Sequence, residues 1–186
     1  MKRPHVLGVD DAPFDKQQGR AVPVVAVLME GNDVVEGVAL GAFPVDGGNA
    51  TEYLAEWLGG LRWHAAVQAV VLGGITLAGL GLVDLEALAR ALGVPVMAVT
   101  RREPGKTRLG EALAAAGLAD RLPIVDRSPP AVRVAPGLYV ALAGADWPDA
   151  AALLQSTLRK SRMPEPLRIA HLIASALELG QSRGRV

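Results

Sequence analysis

The sequence predicts one mixed α/β domain, and three observations carry that prediction. Ala21–Met29 and Val34–Leu40 are valine-rich apolar runs on either side of the turn Glu30-Gly31-Asn32-Asp33, which is the signature of a β-hairpin. Ala69–Leu72 and Val94–Val99 are short and wholly apolar, as strands buried on both faces and paired in parallel tend to be. Between them Leu85, Leu88, Ala89 and Leu92 recur at helical spacing, behind a capping Asp84 and ahead of Gly93.

Along the chain, His5–Asp11 is a short strand ending in two carboxylates, and the hairpin follows it. Asn49-Ala50-Thr51-Glu52 reads as a cap with a glutamate three places on, opening a helix to about Leu61. The strand at Ala69–Leu72, the helix behind Asp84 and the strand at Val94–Val99 come next. A further helix is expected from about Thr107 to Ala116. Ile124-Val125, Val132–Val134 and Leu138–Leu142 read as short strands between proline-rich turns. Trp147-Pro148 opens a helix to about Lys160, and Pro164 or Pro166 opens the last one, which Gly180 ends.

Composition agrees with a single domain over residues 1–186. The chain is 51% hydrophobic and 20% charged, enough apolar material for a core and too much for a disordered segment. Its 21 glycines and 13 prolines follow no triplet period, which excludes collagen. With no cysteine, disulfide scaffolds and thiol nucleophiles are excluded too. The opening Met-Lys-Arg-Pro-His runs into Asp10-Asp11 before any long apolar stretch, so no secretory signal is read and a cytoplasmic location is expected. Trp63–Val83 is uncharged and long enough to cross a bilayer, yet it holds Gln68, Thr76 and four glycines. A buried strand followed by a loop accounts for it, and no membrane partner is expected.

The topology narrows the fold. Three antiparallel strands followed by two parallel strand–helix units give a ribonuclease H-like mixed sheet of order 3-2-1-4-5 with flanking helices. In that order the first and fourth strands are parallel neighbours, and their C-terminal ends meet at the crevice of the sheet. Carboxylates at both ends would hold a pair of Mg²⁺ ions for in-line attack on a phosphodiester. Asp10 stands at the first end; Gly73 stands at the other, and a glycine ligates nothing.

Four blocks of sequence carry a resemblance. They are Gly8-Val9-Asp10-Asp11-Ala12-Pro13-Phe14, Val45-Asp46-Gly47, Gly74-Ile75-Thr76-Leu77-Ala78-Gly79 and Met163-Pro164-Glu165-Pro166-Leu167-Arg168-Ile169-Ala170-His171, with the tail Gly180–Arg185. Together they resemble domain-of-unknown-function family 99, which is similar to endonuclease V. The resemblance implies an endonuclease V-like nuclease using Mg²⁺ or Mn²⁺ and acting on damaged or deaminated bases, with DNA as its partner. Asp10 matches the central metal-binding carboxylate. Similar sequences carry an aspartate at position 73 and an acidic residue at 49, where this chain has Gly73 and Asn49. A non-catalytic nucleic-acid-binding or regulatory module on the same fold is therefore the competing reading.

The remaining candidates are weighed by their chemistry. Asp10 and Asp11 are adjacent, so on a strand they point to opposite faces. Asp46, ahead of two glycines, has the look of a turn residue, and it is also the second carboxylate to set beside Asp10 as catalytic and metal-binding. Gly105-Lys106-Thr107 ends like a P-loop, but Thr100 stands in place of its first glycine and Pro104 removes an amide; NTP binding is the third reading. Arg101, Arg102 and Lys106 could instead touch a nucleic-acid backbone. Arg168 and His171 share a face of the last helix at i and i+3, and Arg183 follows it. Residues 155–186 hold 6 Lys/Arg against 2 Asp/Glu, while residues 1–154 hold 13 against 17, so the basic surface is C-terminal. These positions make up the expected nucleic-acid contacts.

Overall fold

The computed structural model describes residues 3–16, 19–159 and 161–183; Lys160 and Arg185 of the basic tail lie outside them. β1 (His5–Asp11), β2 (Ala21–Glu30) and β3 (Val34–Pro44) form an antiparallel meander, with Asp10 opposite Val25 and Val25 opposite Leu40. Helix α1 (Ala50–Gly59) follows and leads to β4 (Ala69–Leu72), which lies parallel to β1 from Val6/Ala69 to Val9/Leu72. The glycine-rich segment then folds back as a small hairpin of β5 (Thr76–Leu77) and β6 (Gly81–Leu82). α2 (Leu85–Leu92) and β7 (Val96–Thr100) complete the parallel part. After them come α3 (Lys106–Ala115), α4 (Leu122–Arg127), β8 (Val132–Ala135), β9 (Leu138–Ala143), α5 (Trp147–Ser156) and α6 (Glu165–Leu179).

The main sheet has seven strands in the order β3-β2-β1-β4-β7-β9-β8. The expected order 3-2-1-4-5 is present as β3-β2-β1-β4-β7. Beyond β7 the sheet is extended by β9 and β8, both antiparallel to their neighbours. Periodicity placed those strands but could not place their pairing, because four or six apolar residues suit an edge or an interior equally well.

Alternation along β1 decides what faces what. Val6, Gly8 and Asp10 look to the side covered by α5 and α6, where Val6 joins Ala150, Leu154 and Leu167 in a buried cluster. Leu7, Val9 and Asp11 look to the other side, which α1 and α2 cover with Leu54, Leu58, Leu85 and Leu88. Among the described residues no helix is long and apolar enough to cross a membrane, and the uncharged stretch 63–83 is divided between β4 and the small hairpin.

Several expectations need correction. Ile124-Val125 is not a strand but the middle of α4: Pro123 sits in its first turn, where a fixed φ suits a helix start, and Val125 is buried with Leu82 and Leu113. α1 stops at Gly59 rather than Leu61, and Asn49, its N-terminal flank, makes no capping bond through its side chain. Thr51 Oγ1 instead accepts the Asp84 N–H at 3.0 Å, which ties α1 to the start of α2. The glycine-rich run leads into a hairpin rather than directly into a helix. α5 ends at Ser156, one turn early, with Thr157 as its flanking residue.

Candidate functional site

The site exists because α6 lies directly on β1. A side chain at Gly8 would overlap the carbonyl group of Pro166 and the nitrogen of Leu167, so only glycine lets the first turn of α6 come this close. That approach sets Arg168 and His171, neighbours on one face of α6, over the C-terminal end of β1. His171 Nδ1 meets Asp10 Oδ2 at 2.8 Å. A carboxylate can only accept, so Nδ1 carries the proton in this pair, and Nε2 has no protein hydrogen bond among the described residues. The bond to Asp10 raises the pKa of His171, while burial and the nearby Arg101 guanidinium oppose the rise.

Asp10 and His171 lie in a cleft of about 1220 Å³ that Arg101, Arg162, Arg168 and Arg183 also line. Arg168 is fixed: its Nε donates to both oxygens of Glu165 at 3.0 Å, and its Nη2 to Oε2 at 2.6 Å. Glu165 is only 3% exposed, so this is a buried carboxylate orienting a partly exposed guanidinium, and it raises the Arg168 pKa. Arg162 donates to the Pro136 carbonyl. Arg101 and Arg183 pair with no acidic side chain among the described residues. Asp10 is the only carboxylate that lines the cleft among the described residues, against four guanidiniums. Such a cavity attracts anions, and a phosphate group suits the fork geometry of arginine.

Asp11 behaves differently from its neighbour. It faces the α1 side, its Oδ2 accepts the Ala78 N–H at 3.2 Å, and burial, assisted by the charge of Asp10, pushes its pKa up to about 7.

The other predicted residues divide. Arg101, Arg168, His171 and Arg183 meet at the cleft with Asp10. Arg102 is exposed and does not line it. Asp46 is not brought to the cleft: it turns the chain after β3 with φ 54°, its Oδ1 accepts the Leu80 N–H at 2.7 Å, and Lys16 Nζ stands 3.3 Å from Oδ2. Its oxygens are engaged within the turn, away from the cleft that Asp10 lines. Lys106 is also withdrawn from phosphate. Its ammonium donates to the carbonyls of Asp126 at 3.4 Å and Ser128 at 2.8 Å, where the end of α4 offers unpaired acceptors. The P-loop reading of Gly105-Lys106-Thr107 loses its lysine with them.

Two residues at the cleft were not singled out as site residues from the sequence, Arg162 and Glu165. The i, i+3 spacing of Glu165 and Arg168 was a usable signal for the second. For Arg162 the only signal was the basic excess of residues 155–186, because its exact place depends on the loop meeting Pro136.

The magnesium that the resemblance implies finds no matching ligand set in these residues. Among the described residues no three His, Asp or Glu side chains come together as metal ligands. Gly73 follows β4 beside Asp10, and a Cβ built on it would stand 2.7 Å from Asp10 Oδ1. A ligand at this position would therefore face Asp10, and glycine supplies none. With one carboxylate already bonded to an imidazole, the donor set does not fit a pair of Mg²⁺ ions.

Comparison with known proteins follows the same lines. A family model described as endonuclease dU matches residues 2–178. A UPF0215 protein of Methanothermobacter thermautotrophicus is 35% identical, with 96% of this chain and 90% of that protein covered. One from Thermococcus kodakarensis is 34% identical over 96% of this chain and 94% of its own length. A crystal structure of a protein of unknown function from Archaeoglobus fulgidus superposes with TM-score 0.86 at 32% identity, covering 94% of this chain and 98% of that one. Endonuclease V of Ciona intestinalis, in complex with a 24mer DNA containing an inosine followed by a ribo-adenosine, gives TM-score 0.60 at 15% identity, covering 96% and 87%. The last likeness is one of fold.

Proposed function

The chain belongs to the endonuclease dU family, and on that premise we propose that it seats a DNA phosphodiester in the cleft above Asp10, in the handling of damaged or deaminated DNA in the cytoplasm. One observation carries the reading: Arg101, Arg162, Arg168 and Arg183 converge on a single Asp10–His171 pair at the C-terminal end of β1. The endonuclease V neighbour was crystallised with DNA, which supports nucleic acid as the ligand class. Arg168, held by Glu165, offers its remaining N–H groups to phosphate oxygens. Arg101 and Arg183, with no acidic partner among the described residues, add further positive charge.

A second reading, hydrolysis of the bound phosphodiester, is favoured by the geometry of the pair. Asp10 fixes the ring of His171 through Nδ1–H, so Nε2 is free to take a proton from a water attacking phosphorus. The P–O bond to the leaving sugar oxygen would then break, and that oxygen would take up a proton. No metal enters this step.

The test is a binding and nicking assay on single-stranded and duplex DNA containing uracil or hypoxanthine, with and without Mg²⁺ or Mn²⁺. Binding at low salt that weakens in Arg168→Ala is expected. Absence of any DNA binding at low salt would sink the proposal. Product formation that Asp10→Ala abolishes would favour hydrolysis over binding alone.

A further inference from the structure

We propose that the Asp10–His171 cleft is a phosphate site that works without a divalent cation, its positive charge supplied by Arg101, Arg162, Arg168 and Arg183. The inference rests on the phosphate reading above and specifies how that site is charged.

The ligands for a cation are missing from the cleft one by one. Asp10 Oδ2 is occupied by His171 Nδ1, 2.8 Å away. The residue that follows the neighbouring strand is Gly73, whose absent side chain would have pointed within 2.7 Å of Asp10 Oδ1. Asp11 faces the other side of the sheet and bonds the Ala78 amide. Asp46 is held by Leu80 N–H and Lys16, and Asn49 flanks α1 without lining the cleft. Magnesium is ordinarily held by one or two carboxylates together with the phosphate itself. Here that load would fall on the remaining Asp10 oxygen, Oδ1, alone, in a cavity lined by four guanidiniums that repel a cation.

The same residues form a built anion site. Arg168 is locked by the buried carboxylate of Glu165, and Arg162 is tied to the Pro136 carbonyl, so two of the four forks are preorganised. In its charged form His171 would donate a further hydrogen bond from Nε2. Asp10 then serves as the counter-charge that holds the imidazole, a different task from gripping a metal. The shared chemistry is a phosphate group, whether in a DNA backbone or as a free ion.

Two probes separate this inference from the nucleic-acid reading. Calorimetric titration with inorganic pyrophosphate in excess EDTA is expected to show binding that weakens about tenfold or more in Arg101→Ala and in Arg168→Ala. Arg101 is exposed, so its variant keeps the fold intact. Titration with Mn²⁺ alone, followed by its electron paramagnetic resonance signal, is expected to show no site dependent on Asp10. Pyrophosphate binding that appears only after Mg²⁺ is added, or is absent under both conditions, overturns the inference. So does Mn²⁺ binding that Asp10→Ala removes. A uracil-containing duplex forms the third arm: if it fails to bind while pyrophosphate binds in EDTA, the nucleic-acid reading falls and the anion site stands.

Discussion

Asp10, next to last in β1, and Gly73, the residue that follows β4, lie side by side beyond the last parallel pair Val9/Leu72, and a Cβ on Gly73 would stand 2.7 Å from Asp10 Oδ1. The two positions are thus within reach of one another, and only one of them carries a functional group. Asp10 takes its partner from the helix above it, through His171 Nδ1, rather than from the strand beside it.

Removing the carboxylate should therefore be felt first by the imidazole. Asp10→Ala takes away the bond that raises the pKa of His171, so that pKa is expected to fall. Titration of the imidazole signals by NMR in the two proteins checks this. An unchanged value would mean that the pair does not persist in solution.

The logarithm of the DNA affinity should fall linearly with log salt, as phosphate contacts release counterions. Arg101→Ala is expected to reduce that slope by about 0.9, one phosphate contact on duplex DNA. The loss should be equal for all sequences, because phosphate contacts carry no base information. Fluorescence anisotropy on two unrelated oligonucleotides over a salt series provides the measurement.

Asp11 should write a pH dependence into stability. Its folded-state pKa of about 7 lies above the ordinary 3.8, so the native state holds a proton that the unfolded chain has released between those values. The stability this contributes is complete below 3.8 and is lost as pH rises through about 7. Urea midpoints should accordingly fall from about pH 5 to about pH 8, and Asp11→Asn, which keeps an oxygen for the Ala78 amide, should flatten the decline. His171 contributes with the same sign, so the difference between the two proteins is the quantity to read.

Gly8→Ala should be destabilising out of proportion to one methyl group, since it must push α6 off β1. A cost of about 1–3 kcal/mol is expected, typical of overpacking where backbone must yield. Gly105→Ala makes a fair control, because φ is −89° there and the nearest atom to a new Cβ is 3.5 Å away. Equal denaturation midpoints for the two variants would contradict the close approach.

Legibility followed the physics of each element. The strands β1 to β4 and β7 could be read because burial on one or both faces imposes a pattern on sequence, as it does on Ala69–Leu72. Ile124-Val125 misled because two apolar β-branched residues suit a strand, whereas Pro123 and packing against Leu113 decided for a helix. Within the site, Arg168 and His171 could be paired from helical spacing. Their meeting with Asp10 depends on Gly8, whose role appears only when β1 and α6 are superposed. Lys106 and Asp46 looked available because sequence displays charge but not the carbonyls and amides that claim it.

The contact between α6 and β1 joins the last helix of the chain to its first strand. On a ribosome, β1 and β2 emerge more than a hundred residues before Arg168 and His171 do, and Val25 and Val27 wait uncovered for α6. A chain cut before Glu165 would keep Asp10 and most of the sheet but would lack the imidazole and the fixed guanidinium. The cleft is thus completed only when α6 docks on β1. Until then Asp10 stands at the end of β1 with no imidazole to hold, however much of the sheet has already formed.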